Sequence, residues 1–126
     1  LELRQNTAAL SAQALAELNL SSNAGLYMSV ENEDVAELEV RGLSGIGELS
    51  AVELYRLTSS WQAWFNTFEA AFLFHRKGII SSQDYETWRR GACESFRSPG
   101  VKQLLDANGF SLNDEFVSEL EKCGDP

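Results

Sequence analysis

The sequence predicts an all-α protein, a small helical bundle with a long N-terminal helix and a long aromatic-rich central helix that pairs antiparallel with the next one. Only two prolines occur in 126 residues, and alanine, leucine and glutamate, which favour helices, are frequent. Apolar residues recur at spacings of three and four, as they do on the buried face of a helix. The length fits a single domain, residues 1–126, with a helical core over 33–126.

The first helix is predicted over residues 1–30. No proline interrupts this segment, and Leu3, Leu10, Ala14 and Leu18 stand near heptad spacing. Gly25 and the two serines before it each weaken helix propensity by a few tenths to about 1 kcal/mol, so the helix can bend there.

A short second helix is predicted in the segment EDVAELEVRGL. Val35 and Leu38 share a face of it, and Gly42 suits its C-terminal end. The acidic residues of ENEDVAELE do not match a calcium loop, and we interpret them as a solvated acidic face. The next segment, SGIGELS, has the composition of a loop.

The central helix is predicted from Ser50 to Lys77. Ser50 and Glu53 have the spacing of a capping box, in which the serine accepts a hydrogen bond from the first turn and the glutamate reaches back. One apolar face then follows at helical spacing: Leu54, Leu57, Trp61, Trp64 or Phe65, Phe68, Phe72 and His75.

Three shorter helices are predicted after the central one. The fourth helix covers Ser82–Phe96 behind a Ser81 cap. The fifth starts at Pro99, because proline favours the first turn of a helix, and is closed by Gly109. The last begins at an Asn113 cap.

The stretch WQAWFNTFEAAFLFHRKG contains two tryptophans, four phenylalanines and the chain's one histidine. Large apolar side chains are normally buried, so we interpret the stretch chiefly as core that packs against the fourth helix. The alternative is that this aromatic helix lines a cavity.

Six side chains are candidates for binding: Glu69, His75, Arg56, Arg89, Trp61 and Trp88. Glu69 and His75 are six residues apart, about 240° around a helix, so they do not form a metal-binding pair. No metal, cofactor or catalytic residue is predicted. Because Glu69 has large apolar neighbours, we expect it to be buried in an ion pair with Arg56 or Arg89.

The formal net charge of −9 is distributed unevenly. Residues 1–54 contain nine acidic and two basic side chains, whereas residues 55–126 contain ten acidic and eight basic ones. Nucleic-acid binding is not expected, because it depends on lysine and arginine. Cys93 and Cys123 lack metal-ligand spacing and are expected to be free thiols. No apolar run reaches the roughly 18 residues that span a bilayer, so the chain as given is expected to be soluble.

The opening LRQNTAAL resembles a family of uncharacterised bacterial proteins in which QIRQNT directly follows a single N-terminal transmembrane helix. Similar segments follow in the same order, namely EVRGL, LSAVELYRL, FEAAFLFHRKGIISSQDYETWRR, SPGVKQLL and FSLNDEFVSEL. The matching positions are Gln5, Asn6, Thr7, Arg41, Gly42, Glu53, Arg56, Phe68, Glu69, Arg76, Gly78, Trp88, Pro99, Gly100 and Phe116.

The resemblance implies a topology and no activity. It implies a membrane anchor that is absent from this chain, with the first helix as a stalk. Arg4 would then flank the anchor, which places the domain at the cytoplasmic face of the bacterial inner membrane. Leu104 and Leu105 stand where the family often has paired tryptophans, so a pocket at that corner is not implied.

Three functions are compatible with these patterns. The first is a non-enzymatic, membrane-tethered domain that self-associates or binds another protein through the first helix or its acidic flank. The second is a small-molecule or lipid-binding module with an aromatic cavity, in which Glu69, His75 and an arginine are the polar groups. The third is an enzyme with Glu69 or His75 as general base.

Overall fold

A computed structural model of the protein describes residues 2–123, in which six α-helices and no strand occur. The all-α prediction is confirmed. The helices are α1 (Glu2–Glu31), α2 (Glu33–Leu43), α3 (Ala51–Arg76), α4 (Ser82–Phe96), α5 (Pro99–Asp106) and α6 (Asp114–Glu121).

Side-chain caps explain where several helices begin. At the start of α3, the Ser50 hydroxyl accepts from the Glu53 amide at 3.1 Å, and the Glu53 carboxylate accepts from the Ser50 amide at 3.0 Å. Asn113 caps α6 by accepting two amides of its first turn. The predicted end of α5 is displaced, because the left-handed residue is Asn108, with φ of 56°, rather than Gly109.

The first helix, α1, is continuous through Gly25. Its predicted heptad seam is used in part, because Ala14 and Leu18 are buried against the rest of the chain whereas Leu10 is 54% exposed. The side chain of Leu3 lies outside the described residues. Gly25 is a packing position: a Cβ atom there would lie 3.0 Å from the Trp64 ring, so the missing side chain lets α1 approach α3.

The aromatic face of α3 is the centre of the core. Phe65 stacks on Phe110 with ring centroids 5.3 Å apart, and Phe72 contacts the rings of Phe116 and Tyr85 at 5.4 and 6.5 Å. The interpretation of the aromatic stretch as core is confirmed. The predicted hairpin of α3 with α4 supplies one side of this core, and the segments around α5 and α6 supply the other.

Gly100 lets α5 cross α2 with the two backbones in contact, and Gly42 lets α2 pack closely on α3. A Cβ atom on Gly100 would lie 1.8 Å from the carbonyl oxygen of Gly42, and a Cβ on Gly42 would lie 2.3 Å from the Leu57 side chain. Gly42, predicted as a helix terminus, is therefore a buried contact inside the last turn of α2.

A disulfide joins Cys93 to Cys123, so the expectation of free thiols is wrong. The two residues are 30 apart in sequence, yet their Cα atoms lie 5.6 Å apart. They meet because α6 folds back on α4. Sequence spacing does not reveal such a long-range approach.

Candidate functional site

The candidate residues predicted from the sequence do not converge on one site. Trp61 is buried in the core, where a Cβ atom on Gly100 would lie 3.2 Å from its ring. Trp88 is half-buried and packs on the same core. Both tryptophans therefore stabilise the fold.

Glu69 is half-buried and has no arginine partner among the described residues. Its carboxylate accepts the backbone amide of Asn113 at 2.6 Å, so it holds the segment that enters α6. Arg89 instead donates two hydrogen bonds to Glu86, and Arg56 lies exposed on another part of α3. The predicted ion pair is wrong, because the flank of α3 that carries Glu69 faces the α5–α6 connection rather than either arginine.

His75 lines a hollow of about 460 Å³ next to α6, together with aromatic and charged side chains. Its ring stacks on Tyr85 with centroids 4.6 Å apart, and its Nε2 lies 3.1 Å from the Ser82 hydroxyl. Burial raises the pKa of Tyr85 from its ordinary value of 10.0 to about 12. Arg76 and Glu115, which also line the hollow, pair with each other.

A larger and more apolar groove, of about 550 Å³, lies between α1, α2 and α3. We call it the three-helix groove. Its lining residues come from all three helices: Ser21, Ala24, Gly25, Met28, Val35, Leu38, Glu39, Tyr55, Arg56, Leu57, Ser59, Ser60, Ala63, Trp64 and Thr67. Most of them are apolar or small, which is typical of a binding surface.

Glu39 places a carboxylate in the wall of this groove. The Ser29 hydroxyl of α1 lies 3.0 Å from one carboxylate oxygen, and the Ser60 hydroxyl of α3 donates to the other at 2.7 Å. Both donors are neutral, and the carboxylate has no basic partner within residues 2–123. Glu39 thus connects the three helices, and no basic side chain of the described residues forms an ion pair with it.

A second polar contact joins α1 to α3 in the wall of the groove. The hydroxyls of Ser21 and Thr67 lie 2.8 Å apart, and Thr67 is buried. Trp64 packs against Gly25 nearby. These contacts hold α1 close to α3 beside the groove.

Large apolar side chains remain exposed on the helices that form the groove. Met28 is 57% exposed and Tyr55 75% exposed, although both line the groove. Further exposed apolar residues occur on the same three helices: Leu26, Tyr27, Val30, Val40 and Val52. Of these exposed residues, Met28 and Tyr55 are the ones in the groove lining, and contiguous exposed apolar surface marks interaction sites.

Searches of protein-family models, curated proteins and solved structures found no match to this chain. Its function is therefore inferred from its own geometry. Within residues 2–123 there is no group of three or more His, Cys, Asp or Glu side chains able to hold a metal ion. No described helix combines the length and hydropathy needed to cross a membrane.

The sequence contains a weak signal for the groove. Ser59, Ser60, Ala63 and Thr67 recur at spacings of three and four, on a face of α3 different from the aromatic one. Small residues at helical spacing indicate close packing as readily as an open surface. Glu39 was included in the solvated acidic face, and its contacts with two serines become visible only in the folded chain.

Proposed function

We propose that the protein is a non-enzymatic helical interaction domain that receives an amphipathic helix of another protein in the three-helix groove. The observation that carries this proposal is the apolar groove itself, which has exposed Met28 and Tyr55 in its lining. Amphipathic helices bind in such grooves by inserting apolar residues spaced along one face.

A peptide helix suits this groove better than a small apolar ligand. Small-molecule sites commonly bury 70–90% or more of the ligand. The aromatic residues that would enclose a ligand, including Phe65, Phe68 and Phe72, are buried in the core. Trp64 and Tyr55 are the aromatic residues in the groove lining, and Tyr55 is mostly exposed.

We propose, in addition, that the domain works in an oxidising compartment. The disulfide between Cys93 and Cys123 supports this, because disulfides persist outside the reducing cytosol. The membrane tether rests on the resemblance of the N-terminal segment alone. If the tether is present, the disulfide favours the outer side of the membrane over the expected cytoplasmic face.

The compartment can be tested on acid-quenched extracts of cells that express the full-length protein. A maleimide-polyethylene glycol reagent is added before or after reduction, and the shift of the band is measured. We expect Cys93 and Cys123 to be labelled only after reduction. Labelling of both without reduction would place the domain in a reducing compartment.

The interaction function can be tested by NMR, because the chain has three tryptophans in three environments. Trp64 lines the groove, whereas Trp61 is in the core and Trp88 packs outside the groove lining. The probe is a synthetic 18-residue amphipathic helix with leucines on one face and glutamines elsewhere. We expect the indole N–H signal of Trp64 to shift and the other two to stay in place.

A variant that blocks the groove is compared with a matched control outside it. Ala63→Phe fills an exposed position in the groove lining, and Ala16→Phe makes the same change on an exposed part of α1 outside it. We expect Ala63→Phe to abolish the Trp64 shift and Ala16→Phe to preserve it. A Trp64 shift with palmitate and none with the peptide would support the lipid-binding alternative. No shift with either probe would overturn the proposal.

Self-association is the other form of a protein-interaction function. Light scattering across a wide range of concentrations separates it from binding of a different protein. We expect a monomer, because the exposed apolar residues lie mostly in the acidic part of the chain, residues 1–54. A stable dimer that Ala63→Phe dissociates would assign the groove to a second copy.

A further inference from the structure

We infer that the helix bound in the three-helix groove carries a lysine or arginine that pairs with Glu39. This inference rests on the proposed function, and it identifies the chemistry of the partner. The two observations behind it are the state of the Glu39 carboxylate and the distribution of charge on α2.

The Glu39 carboxylate has unused capacity to accept hydrogen bonds. An ionised carboxylate offers about four acceptor positions. Two serine hydroxyls occupy part of this capacity, and neither brings a positive charge. In contrast, Glu53, Glu86 and Glu115 each pair with an arginine of the chain. Glu39 is thus an acceptor prepared for a cation that the described part of the chain does not supply.

The same serines hold the carboxylate in a defined position. Ser29 belongs to α1 and Ser60 to α3, so Glu39 is held from both neighbouring helices. Side chains oriented in advance lose less conformational entropy when a ligand binds. The pair with a basic residue would therefore form at a low ordering cost.

The charge of α2 favours a basic partner over a second copy of the chain. Besides Glu39, this helix contains Glu33, Asp34 and Glu37, and its one basic residue, Arg41, is engaged by Glu53. Glu39 is the acidic residue of α2 in the groove lining, so a symmetric contact through the groove would bring the two Glu39 carboxylates and the two acidic α2 helices close together. Like charges that face each other across an interface are unfavourable, whereas a basic helix is attracted.

Arg56 adds a positive charge to the lining of the groove. It lies on the α3 wall, is exposed, and has no ion pair among the described residues. A cationic helix is attracted by Glu39 and repelled by Arg56. We therefore expect Arg56→Gln to raise the affinity for a cationic helix by about two- to fivefold, as for an exposed charge.

The test is a double-mutant cycle between protein and peptide. The leucine–glutamine helix described above is synthesised as a set of peptides, each with one lysine at a different position flanking the leucine face. Each lysine peptide has a counterpart with norleucine at the same position. Norleucine keeps the aliphatic stem and removes the charge. Each pair is titrated into the wild-type protein and into Glu39→Gln and Glu37→Gln, with the Trp64 indole signal as readout.

For at least one lysine position, we expect the wild type to bind the lysine peptide about tenfold more tightly than the norleucine peptide, as for a charged hydrogen bond that is partly exposed. In Glu39→Gln this preference should fall below about twofold. In Glu37→Gln, which removes an exposed acidic residue of the same helix, the preference should remain. The lysine preference should also decrease as salt is added.

The outcomes separate the two proposals. Equal binding of lysine and norleucine peptides by the wild type, with a clear Trp64 shift, would overturn the inference and leave the interaction function standing. A preference that survives Glu39→Gln would likewise overturn it. The wild-type comparison requires no protein variant, so it remains decisive if Glu39→Gln is unstable. Failure of every peptide to shift Trp64 would instead count against the interaction function.

Discussion

Two faces of the same helix, α3, differ in burial: one is covered by other helices and the other is not. One carries Trp61, Phe65 and Phe72, which are buried by α4, by α6 and by the segment around α5. The other carries Ser60 and Ala63, which line an uncovered groove. The comparison shows that the face with the largest side chains is the one the fold buries. The surface left for binding combines small residues of α3, such as Ser60 and Ala63, with the larger Tyr55 and Trp64.

The two faces of α3 also differ in how much they stabilise the fold. Burying a large apolar side chain stabilises a fold by about 1.5–3 kcal/mol, so the aromatic face dominates stability. The groove face is joined to its neighbours by serine and threonine hydrogen bonds, each of which contributes about 0.5–1.5 kcal/mol. Changes on the aromatic side should therefore act on stability, and changes in the groove should act mainly on binding.

The largest effect is expected at the crossing of α2 and α5. Gly100→Ala would place a Cβ atom 1.8 Å from the carbonyl oxygen of Gly42, so the two backbones must separate. We expect the free energy of unfolding to fall by more than about 4 kcal/mol in a denaturant titration. Gly91→Ala is the control, since its Cβ would lie 3.4 Å from Phe68 and alanine favours a helix by about 0.5–1 kcal/mol. Similar stability of both variants would show that the crossing is loosely packed.

The comparison of the two faces can be tested directly with one aromatic residue from each. Phe68 is 9% exposed, and Phe68→Ala should lower the free energy of unfolding by about 3–5 kcal/mol. Tyr55 is 75% exposed, and Tyr55→Ala should change it by less than about 0.5 kcal/mol. Tyr55→Ala should weaken peptide binding instead. A loss below about 1 kcal/mol for Phe68→Ala would contradict its place in the core.

The disulfide belongs to the aromatic side, where it ties the end of α6 to α4. Its cysteines are separated by 30 residues, so reduction should lower the free energy of unfolding by about 3–4 kcal/mol in the chain-entropy treatment. Thermal melts with and without reductant measure this effect. The Trp64 response to peptide should persist at temperatures where the reduced protein is folded. Loss of that response in folded, reduced protein would show that the two sides are coupled.

The smallest effect concerns Glu53, which connects α2 to the start of α3. The Arg41 guanidinium, followed by the Ser50 amide, lowers the Glu53 pKa from 4.5 to about 2. The ionised Glu53 carboxylate therefore stabilises the folded state above pH 4.5, and this contribution is lost as the pH falls toward 2. Glu53→Gln should reduce the loss of stability in this window, measured by melts at successive pH values. An unchanged pH profile would show that the pair contributes nothing to stability.

Much of the fold was predictable because its signals are local. The capping residues Ser50, Ser81 and Asn113 begin helices where the sequence predicts them, and the apolar spacing of α3 identifies its buried face. Each of these features depends on residues within one or two helical turns. Local hydrogen bonds and helical periodicity are sufficient to define them.

The sequence alone therefore determined the all-α class, the approximate limits of the helices and the burial of the aromatic stretch. Tertiary structure decided the position of the groove, the contacts of Glu39, the Glu69 contact with Asn113 and the disulfide. These features join residues from different helices. Their approach depends on how the helices cross, and Gly100, whose missing side chain lets α5 contact the backbone of Gly42, sets one such crossing. Helical periodicity specifies which face of a helix is apolar, but it does not specify which neighbour covers that face or leaves it open.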